Sequence, residues 1–524
     1  MTLLRRSIAV IGFSVPLFLS LSLPAPAQSQ IHLLEPGKSV ERELKGGEAH
    51  SYQITLSEKQ YLELTVEQLD IDVIVRILAP GGRPIAQVNN RQRPKFSEHL
   101  LILTDTSGEF RVEVSATHKN AAPGRYELRF EVIEATTAEN TGRIAALKNF
   151  VEAEPLRAQD AAELRRKAVE KYEQALPIWT NSGDRRREAE TLLNIGQISL
   201  SLADNQKALS YLLRALELYR ATNSRRWEGR TLTILAEVYR QSGDMKSALE
   251  TVEYALPIVQ ETNDREGQAD LFSGLGSINS DIGELRKSVD NDQKALVLYQ
   301  TTTDHIGEVN VLNSLGVDYE RLGEHQLALK YYEQALPLSR MLGDRVVEAY
   351  LLNNIGEINR LLGDPKSALK LYIQSHEIFN EVGYANYDAI IVSNIGLAYE
   401  MLDEYMKALD SYGQALSLSR TAGSRSAEAI TLNKIGQLYE KLRDRPKALD
   451  YYGQALVLFR AIEDHQREAD TLRSIGDVHQ SLGEHTKALE YYNQALPLQR
   501  IIGDPKADYA LVGRIGVLSR QQEF

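Results

Sequence analysis

The chain has 524 residues, of which 43% are apolar and 25% are charged, enough for hydrophobic cores in two to four domains. Its formal net charge of −12 disfavours nucleic-acid binding through phosphate neutralisation, and it equally disfavours a polybasic membrane anchor. The absence of cysteine excludes disulfides, cysteine-ligated metals and a cysteine nucleophile. Composition alone thus removes several classes of enzyme and of metal protein.

Residues 1–27 have the features of a secretory signal peptide. Two arginines lead into an apolar stretch that ends at Leu23, and Ala25 and Ala27 supply the small residues that a signal peptidase accepts. We therefore expect cleavage after Ala27, a mature chain that begins at Gln28, and a periplasmic or secreted location. The alternative is a retained membrane anchor. No later segment has the roughly 18 consecutive apolar residues of a spanning helix, so we expect no membrane insertion after cleavage.

Residues 28–138 form a β module, because apolar and polar residues alternate there with the period of a half-buried strand. The clearest strand segments are 52–56, 61–66, 71–78, 100–103, 110–114 and 126–132. The spacing predicts seven or eight short strands in an antiparallel sandwich or jelly roll.

The order of turns and strands in this module resembles the bacterial pre-peptidase C-terminal domain. The matching elements are Gly46-Gly47-Glu48, Asp72, Ala79-Pro80-Gly81-Gly82, Gly108-Glu109-Phe110 and Gly124-Arg125-Tyr126. The resemblance implies a secreted protein and, for some relatives, binding to glycans or an extracellular matrix. Asp70 and Asp72 suit calcium, but two carboxylates are few for this ion, and a solvated sheet edge is the favoured interpretation.

From residue 139 onward the sequence repeats every 40 residues. The recurring glycines are Gly196, Gly276, Gly316, Gly356, Gly396, Gly436, Gly476 and Gly516, with Ala236 in the remaining place. Small residues follow 12 and 19 positions later, and a tyrosine lies between them at Tyr332, Tyr372, Tyr412, Tyr452 and Tyr492. Leu352, Ile355 and Gly356 share one helical face, so each unit is predicted to be an antiparallel helix pair that stacks on its neighbours. A glycine inside a helix costs about 1 kcal/mol relative to alanine. We expect that it permits a close backbone-to-backbone approach of the second helix.

These elements resemble the tetratricopeptide repeat in a form of about 40 residues. The family's motifs are visible as Leu315-Gly316-Val317-Asp318-Tyr319 and as Ala328, Tyr332 and Ala335. The predicted layout is a helical entry at 139–183, eight units at 184–503 and a capping half-repeat at 504–524. The fold class is therefore mixed: an all-β sandwich or jelly roll followed by an all-α solenoid, which the resemblance implies is a right-handed superhelix.

The unit at 264–303 departs from the pattern. Gly274, Ser288 and Asp292 replace expected packing residues. The sequence indicates a loosened unit whose amide hydrogens should exchange fastest among the internal repeats. Sequence drift and a hinge are both compatible with this pattern.

The layout also resembles the front of bacterial secreted proteins that end in a CHAT domain, a caspase-like protease fold, but this sequence has no cysteine. Metalloprotease, phosphate-loop and serine-hydrolase motifs are absent from the sequence. We predict a non-catalytic scaffold that binds a protein or peptide partner, with no cofactor, no metal and no nucleic acid. The alternatives are a regulatory partner of a separate CHAT-type protease and a glycan or matrix binder that acts through the β module.

The resemblance places partner binding on the concave side, which the first helix of each pair lines. Helical geometry assigns to this side the positions three residues before and one residue after the recurring glycine, which we call the inner-face positions. The predicted partner-binding residues are Asn313, Asn353, Asn354, Glu357, Asn394, Asn433, Gln437, Arg473 and Asp477. Asparagine is a poor helix former, and its amide offers both donors and an acceptor to a peptide backbone. The alternative is that these asparagines connect adjacent repeats.

Overall fold

The computed structural model describes residues 31–69, 71–88, 97–117, 119, 121, 123–159, 161–302, 304–383, 385–502 and 505–522. The predicted signal peptide and Asp70 lie outside these residues. The described strands are β1 (Ile31–Leu33), β2 (Ser39–Leu44), β3 (Ala49–Leu56), β4 (Gln60–Gln68), β5 (Val73–Leu78), β6 (Pro84–Val88), β7 (Glu98–Leu103), β8 (Gly108–Ala116) and β9 (Gly124–Glu134).

The strands form two sheets, which among the described residues have the orders β1-β3-β8-β5-β6 and β2-β9-β4-β7. All pairings are antiparallel except that of β1 with β3, which is parallel. Strands β2 to β9 thus follow the strand order of a jelly roll. One hydrophobic core joins the two sheets, with Tyr52 and Val112 from the first and Leu64 and Leu128 from the second. The predicted sandwich is confirmed.

The outer side of the four-stranded sheet is covered by helices, which the alternating pattern did not predict. Glu63 and Thr65 on β4 lie on the polar side of the strand, yet both are buried. They receive hydrogen bonds from Arg187 of a helix in the first repeat, and that arginine also bonds Glu190 at 3.0 Å. His99 on β7 lies 2.7 Å from Glu190. Strand β4 is therefore buried on both sides and not half-buried. Its polar side chains tolerate burial because a charged side chain of the helix hydrogen-bonds to them.

This buried cluster favours the charged form of Glu190. Burial raises the pKa of Glu190, but the influence of His99 and Arg187 is larger and holds this pKa below its ordinary value. An apolar contact lies beside the cluster, where Leu101 of β7 and Ile133 of β9 pack with Trp179. The β module is thus joined to the start of the helical array by both ionic and apolar contacts.

The helices follow the sheets without further strands among the described residues. They are α1 (Ala138–Arg157), α2 (Ala162–Ser182), α3 (Arg185–Ser201), α4 (Asn205–Ala221), α5 (Arg225–Gln241), α6 (Met245–Glu261), α7 (Arg265–Asp281), α8 (Leu285–Thr302), α9 (His305–Arg321), α10 (His325–Leu342), α11 (Arg345–Leu361), α12 (Pro365–Val382), α13 (Ala385–Met401), α14 (Tyr405–Thr421), α15 (Arg425–Lys441), α16 (Arg445–Ala461), α17 (His465–Ser481), α18 (His485–Ile502) and α19 (Pro505–Gln522).

Short capped turns between the helices set the 20-residue rhythm. Asp204, Asp264 and Asp364 are among the N-cap residues whose carboxylates accept a hydrogen bond from the backbone three residues later. Gly183 and Gly343 end their helices in the left-handed conformation that glycine adopts at little cost. Because the connections are so short, consecutive helices run antiparallel, as the sequence predicts.

The recurring glycine has a different reason from the one we expected. A Cβ atom on Gly436 would lie 2.6 Å from the ring of Tyr452, and one on Gly316 would lie 2.3 Å from the ring of Tyr332. The glycine therefore makes room for an aromatic ring, and the expected backbone-to-backbone approach is wrong as its main cause. At Gly276 the corresponding neighbour is the carboxylate of Asp292.

The chain divides into two compact units, one up to Ser314 and one from Leu315 onward. The predicted mixed fold class is confirmed, with β-sheets followed by a solenoid of helix pairs. None of the helices in the described part of the chain is long and apolar enough to cross a membrane.

Candidate functional site: a cavity between α3, α5 and α7

The first unit contains a cavity of about 370 Å³ on the exposed sides of three successive first helices. Helices α3 and α5 contribute Leu193, Gln197, Leu200, Trp227, Arg230, Thr233, Ile234, Glu237 and Arg240. Helices α7 and α8 contribute Gly267, Asp270, Ser273, Gly274, Ser277 and Tyr299. This volume lies within the range of about 300 to 1,000 Å³ that is typical of ligand pockets.

Small side chains on α7 open the cavity. A Cβ atom added to Gly274 would meet no atom within 4 Å, so no packing contact accounts for this mid-helix glycine. On the same side of α7, Ser273 and Ser277 carry only short hydroxyl side chains. The unit at 264–303, which the sequence indicates to be loosened, is therefore a pair of regular helices whose small residues leave a space on the inner face.

Arg230 of the cavity lining belongs to a buried ion cluster. Arg230 donates two hydrogen bonds to Asp264, at 2.7 and 2.9 Å, and one to Glu266 at 3.0 Å. Burial acts to raise the pKa of Asp264, but the charges of Arg230 and Arg226 and the hydrogen bonds to the carboxylate together outweigh it and hold this pKa below its ordinary value. These carboxylates also raise the pKa of Arg230 despite its burial. The arginine is consequently fixed in its charged form.

A second arginine is held in the same way near the end of α5. Arg240 bonds Glu237 at 2.7 and 2.8 Å and Asp281 at 2.5 Å. Its hydrogen bonds to Glu237 outweigh its partial burial and raise the pKa of Arg240. On the opposite wall the hydroxyl of Tyr299 donates to Asp270 at 2.6 Å. The charged groups of the cavity are thus positioned by neighbours before any ligand binds.

The helical rule used on the sequence identifies much of this lining. Counting three residues back and one forward from Gly196, Ala236 and Gly276 gives the cavity residues Leu193, Gln197, Thr233, Glu237, Ser273 and Ser277. The same positions in later repeats hold most of the predicted partner-binding residues: Asn313, Asn353, Asn433, Arg473, Glu357, Gln437 and Asp477, with Asn354 and Asn394 at their border. The sequence feature that would have indicated the cavity is the glycine at position 274, which has no side chain to fill the space.

The predicted asparagines are partly exposed, and several connect neighbouring helices. The amide of Asn394 donates to Asn353 at 3.1 Å, which links α13 to α11, and Asn353 contacts Asn354 at 3.3 Å. The hydroxyl of Thr471 on α17 lies 3.3 Å from Oδ1 of Asn433. Asn313 is also partly exposed, on α9. Their proposed role in partner binding stays a prediction beside these contacts.

The inner face of the second unit also contains a group of charges. Glu357 accepts hydrogen bonds from Tyr372 at 2.8 Å and from Arg360 at 2.9 Å. Lys434 lies within electrostatic range of Glu357 and Glu400, yet burial is the larger influence and lowers its pKa to about 8. In the second unit, Glu357 and Lys434 therefore occupy repeat positions at which α7 carries Ser277 and Gly274.

The remaining predicted residues lie near the end of the array. Asp477 accepts from the hydroxyl of Tyr492 at 2.5 Å and also pairs with Arg514. Arg473 pairs with Asp470 at 3.0 Å. Gln437 is exposed on α15. Within the described residues, no group of three or more histidine and carboxylate side chains is arranged to hold a metal ion.

Comparison with known proteins agrees with the helical repeat. The tetratricopeptide repeat model matches residues 153–221, 200–261, 267–341, 347–421 and 427–501, which make up more than half of the chain. The chain belongs to the tetratricopeptide repeat family. The α3–α5–α7 cavity lies within the matched residues, so it belongs to the repeat array of this chain. Among curated proteins, none matches this sequence.

Several solved structures are distantly similar to this repeat protein. The apo form of RapI is 15% identical, covers 52% of this chain and 98% of its own, and has a TM-score of 0.46. A Rap protein complexed with competence and sporulation factor is 14% identical, with coverages of 72% and 99% and a TM-score of 0.45. The apo quorum sensor NprR from B. thuringiensis is 13% identical, with coverages of 64% and 97% and a TM-score of 0.49.

Proposed function

We propose that this tetratricopeptide repeat protein is an exported, non-catalytic scaffold that binds a protein partner through the inner face of its first helices. The cavity between α3, α5 and α7 carries this proposal, because it combines an apolar wall with hydrogen-bonding groups at the surface. Export is supported by the basic, apolar and small-residue segments of residues 1–27.

The β module supports the scaffold by its position in the first unit. Its four-stranded sheet packs on the first helices and covers their apolar surface, and a repeat array needs such a cover at its ends. Because that side of the sheet is occupied, it is not available for glycan binding by the module. The alternative of matrix binding therefore has less surface available than the sequence suggests.

Photo-crosslinking in the cells that make the protein tests the binding surface. A photoreactive amino acid is placed at Thr233 on the inner face and, as a matched control, at Glu250 on the exposed side of α6. The proposal expects a discrete crosslinked partner from position 233 and none from position 250. Equal crosslinking at both positions, or none at either, would contradict it.

The same experiment distinguishes the regulatory alternative, since mass spectrometry identifies the crosslinked partner. A partner with a cysteine–histidine protease domain would identify the chain as the recruiting subunit of that enzyme. The intact mass of the mature protein tests export. A chain that begins at Gln28 is expected, whereas a membrane-bound species that retains Met1 would contradict cleavage and location together.

A further inference from the structure

The α3–α5–α7 cavity has an apolar wall in which a second aromatic ring supports the indole of Trp227. Leu193 is buried, whereas Leu200, Trp227 and Ile234 are only partly covered and retain surface that a ligand could bury. Trp227 stacks on Tyr219, with ring centroids 6.2 Å apart, and this contact fixes the plane of the indole. Covering partly exposed apolar surface is favourable by roughly 25 cal/mol per Å², so this wall favours a large apolar group.

The volume of the cavity limits the size of that group. About 370 Å³ holds one large side chain together with the backbone that carries it, but not a folded domain. The short side chains of Ser273 and Ser277 and the amide of Gln197 border the space and offer hydrogen bonds to such a backbone. The size and the polar border together favour a short extended segment of a protein.

The charges around the cavity favour a cation. In the described structure, Arg230 is shared between Asp264 and Glu266, and Arg240 is shared between Glu237 and Asp281. Asp270 adds a further carboxylate on the opposite wall. Arg226 adds one more positive charge, 3.4 Å from Asp264. Glu237 and Asp270 balance the two arginines in the lining itself, and the surrounding carboxylates Asp264, Glu266 and Asp281 outnumber Arg226. This excess of negative charge around the cavity attracts a positively charged ligand.

We infer that this cavity binds a peptide segment of the partner in which a large apolar residue stands next to a lysine or arginine. This inference rests on the proposed function and specifies its ligand. The apolar side chain enters the space above Gly274 and packs on Trp227, while the basic side chain lies against Asp270 and Glu237. Gly274 sets the size of the anchor that fits.

The inference is tested with peptides displayed from a random library and selected on the full mature chain. Selected peptides should share an apolar residue beside a basic one, and the affinity of a synthetic peptide should fall as salt rises. Enriched peptides that are acidic, or that lack a large apolar residue, would overturn the inference.

Two matched substitutions locate the site. Gly274→Trp fills the cavity, whereas Gly413→Trp introduces the same side chain at another mid-helix glycine with no atom within 4 Å, on the exposed side of α14. We expect the selected peptide to bind the first variant at least 10-fold more weakly than the original protein, a loss of about 1.4 kcal/mol or more. Its affinity for the second variant should stay within about two-fold of the original. Unchanged affinity in Gly274→Trp would overturn the inference.

A third variant keeps the inference testable if Gly274→Trp fails to fold. Asp270→Asn retains the contact with Tyr299 but removes a charge. The substitution should lower the affinity for a basic peptide three- to ten-fold. It should leave unchanged the affinity for a peptide in which glutamine replaces the basic residue. Equal effects on both peptides would contradict the charge assignment.

If photo-crosslinking finds a partner at Thr233 but these peptide tests fail, the scaffold stands and only the ligand chemistry is wrong. If crosslinking fails as well, the proposed function fails with it.

Discussion

The inner faces of α7 and α11 occupy the same place in the repeat, yet they differ in what they offer to a partner. Helix α7 presents Ser273, Gly274 and Ser277, which leave a cavity. Helix α11 presents an amide pair, Asn353 and Asn354, which hydrogen-bond to each other. The remaining inner-face position of α11 is Glu357, which bonds Arg360.

The two helices share the framework of the repeat. Gly276 and Gly356 both lie under a side chain of the following helix, an aspartate in one case and a tyrosine in the other. The framework positions thus set the helix pairing, whereas the inner-face positions vary without disturbing it. Binding chemistry can therefore change from repeat to repeat at little cost in folding.

The largest effect is expected when the charged wall of the cavity is broken. Arg230→Met leaves the carboxylates of Asp264 and Glu266 buried without their main partner, and such losses destabilise proteins by about 3 to 5 kcal/mol. Urea unfolding measures the change, and hydrogen exchange should show it in α5 and α7. Arg420→Met removes an exposed arginine that pairs with Glu428 at 2.7 Å and should cost no more than about 1 kcal/mol. Equal losses of stability in both variants would mean that the buried cluster contributes no more than an exposed ion pair.

Replacing two of the glycines by alanine should change the stability of the protein in opposite directions. Gly436→Ala places a methyl group against the buried ring of Tyr452 and should destabilise the protein by about 1 to 3 kcal/mol. Gly274→Ala meets open space and should stabilise α7 by up to about 1 kcal/mol. Thermal unfolding of the two variants decides the matter. A loss of stability in Gly274→Ala would show that this glycine is needed for packing after all.

The second unit should respond to alkaline pH through Lys434. Its folded pKa of about 8 lies below its ordinary value of 10.5, so the unfolded chain binds the proton more tightly between these values. The free energy of unfolding should therefore gain a favourable contribution as pH rises from 8 to 10.5. Lys434→Met should abolish this contribution and stabilise the protein at pH 7 by roughly 1 to 3 kcal/mol. A pH profile unchanged by the substitution would refute the assignment.

The smallest effect is expected in the amide contacts of the second unit. Asn353→Ala removes the acceptor of Asn394 on a partly exposed surface and should cost about 0.5 to 1.5 kcal/mol. The triple variant at Asn313, Asn353 and Asn433 separates the two roles of these residues. A large drop in melting temperature assigns them to the framework, whereas a loss of partner affinity at nearly constant melting temperature assigns them to binding.

Local sequence patterns were sufficient for most of the secondary structure. The 40-residue period, the N-capping aspartates such as Asp264 and the left-handed glycines such as Gly343 act within a few residues of chain, so they can be recognised without a structure. The same holds for the strand pattern at 126–132, which lies within β9. Strands β1, β2 and β6 were not identified individually, because they are short edge strands with little apolar alternation.

Tertiary structure decided which neighbours the side chains in those patterns contact. The row of Glu63 and Thr65 reads as a solvent-exposed side of a strand, and only the docking of α3 shows that Arg187 covers it. The recurring glycine marks a tight contact in the sequence, but its partner, the ring of a tyrosine 16 residues later, depends on how the two helices pack. Gly274 looks the same in the sequence as Gly276, yet one faces open space and the other a carboxylate. Side-chain periodicity fixes which residues share a face, whereas a cavity is defined by the space between three helices that are distant in sequence.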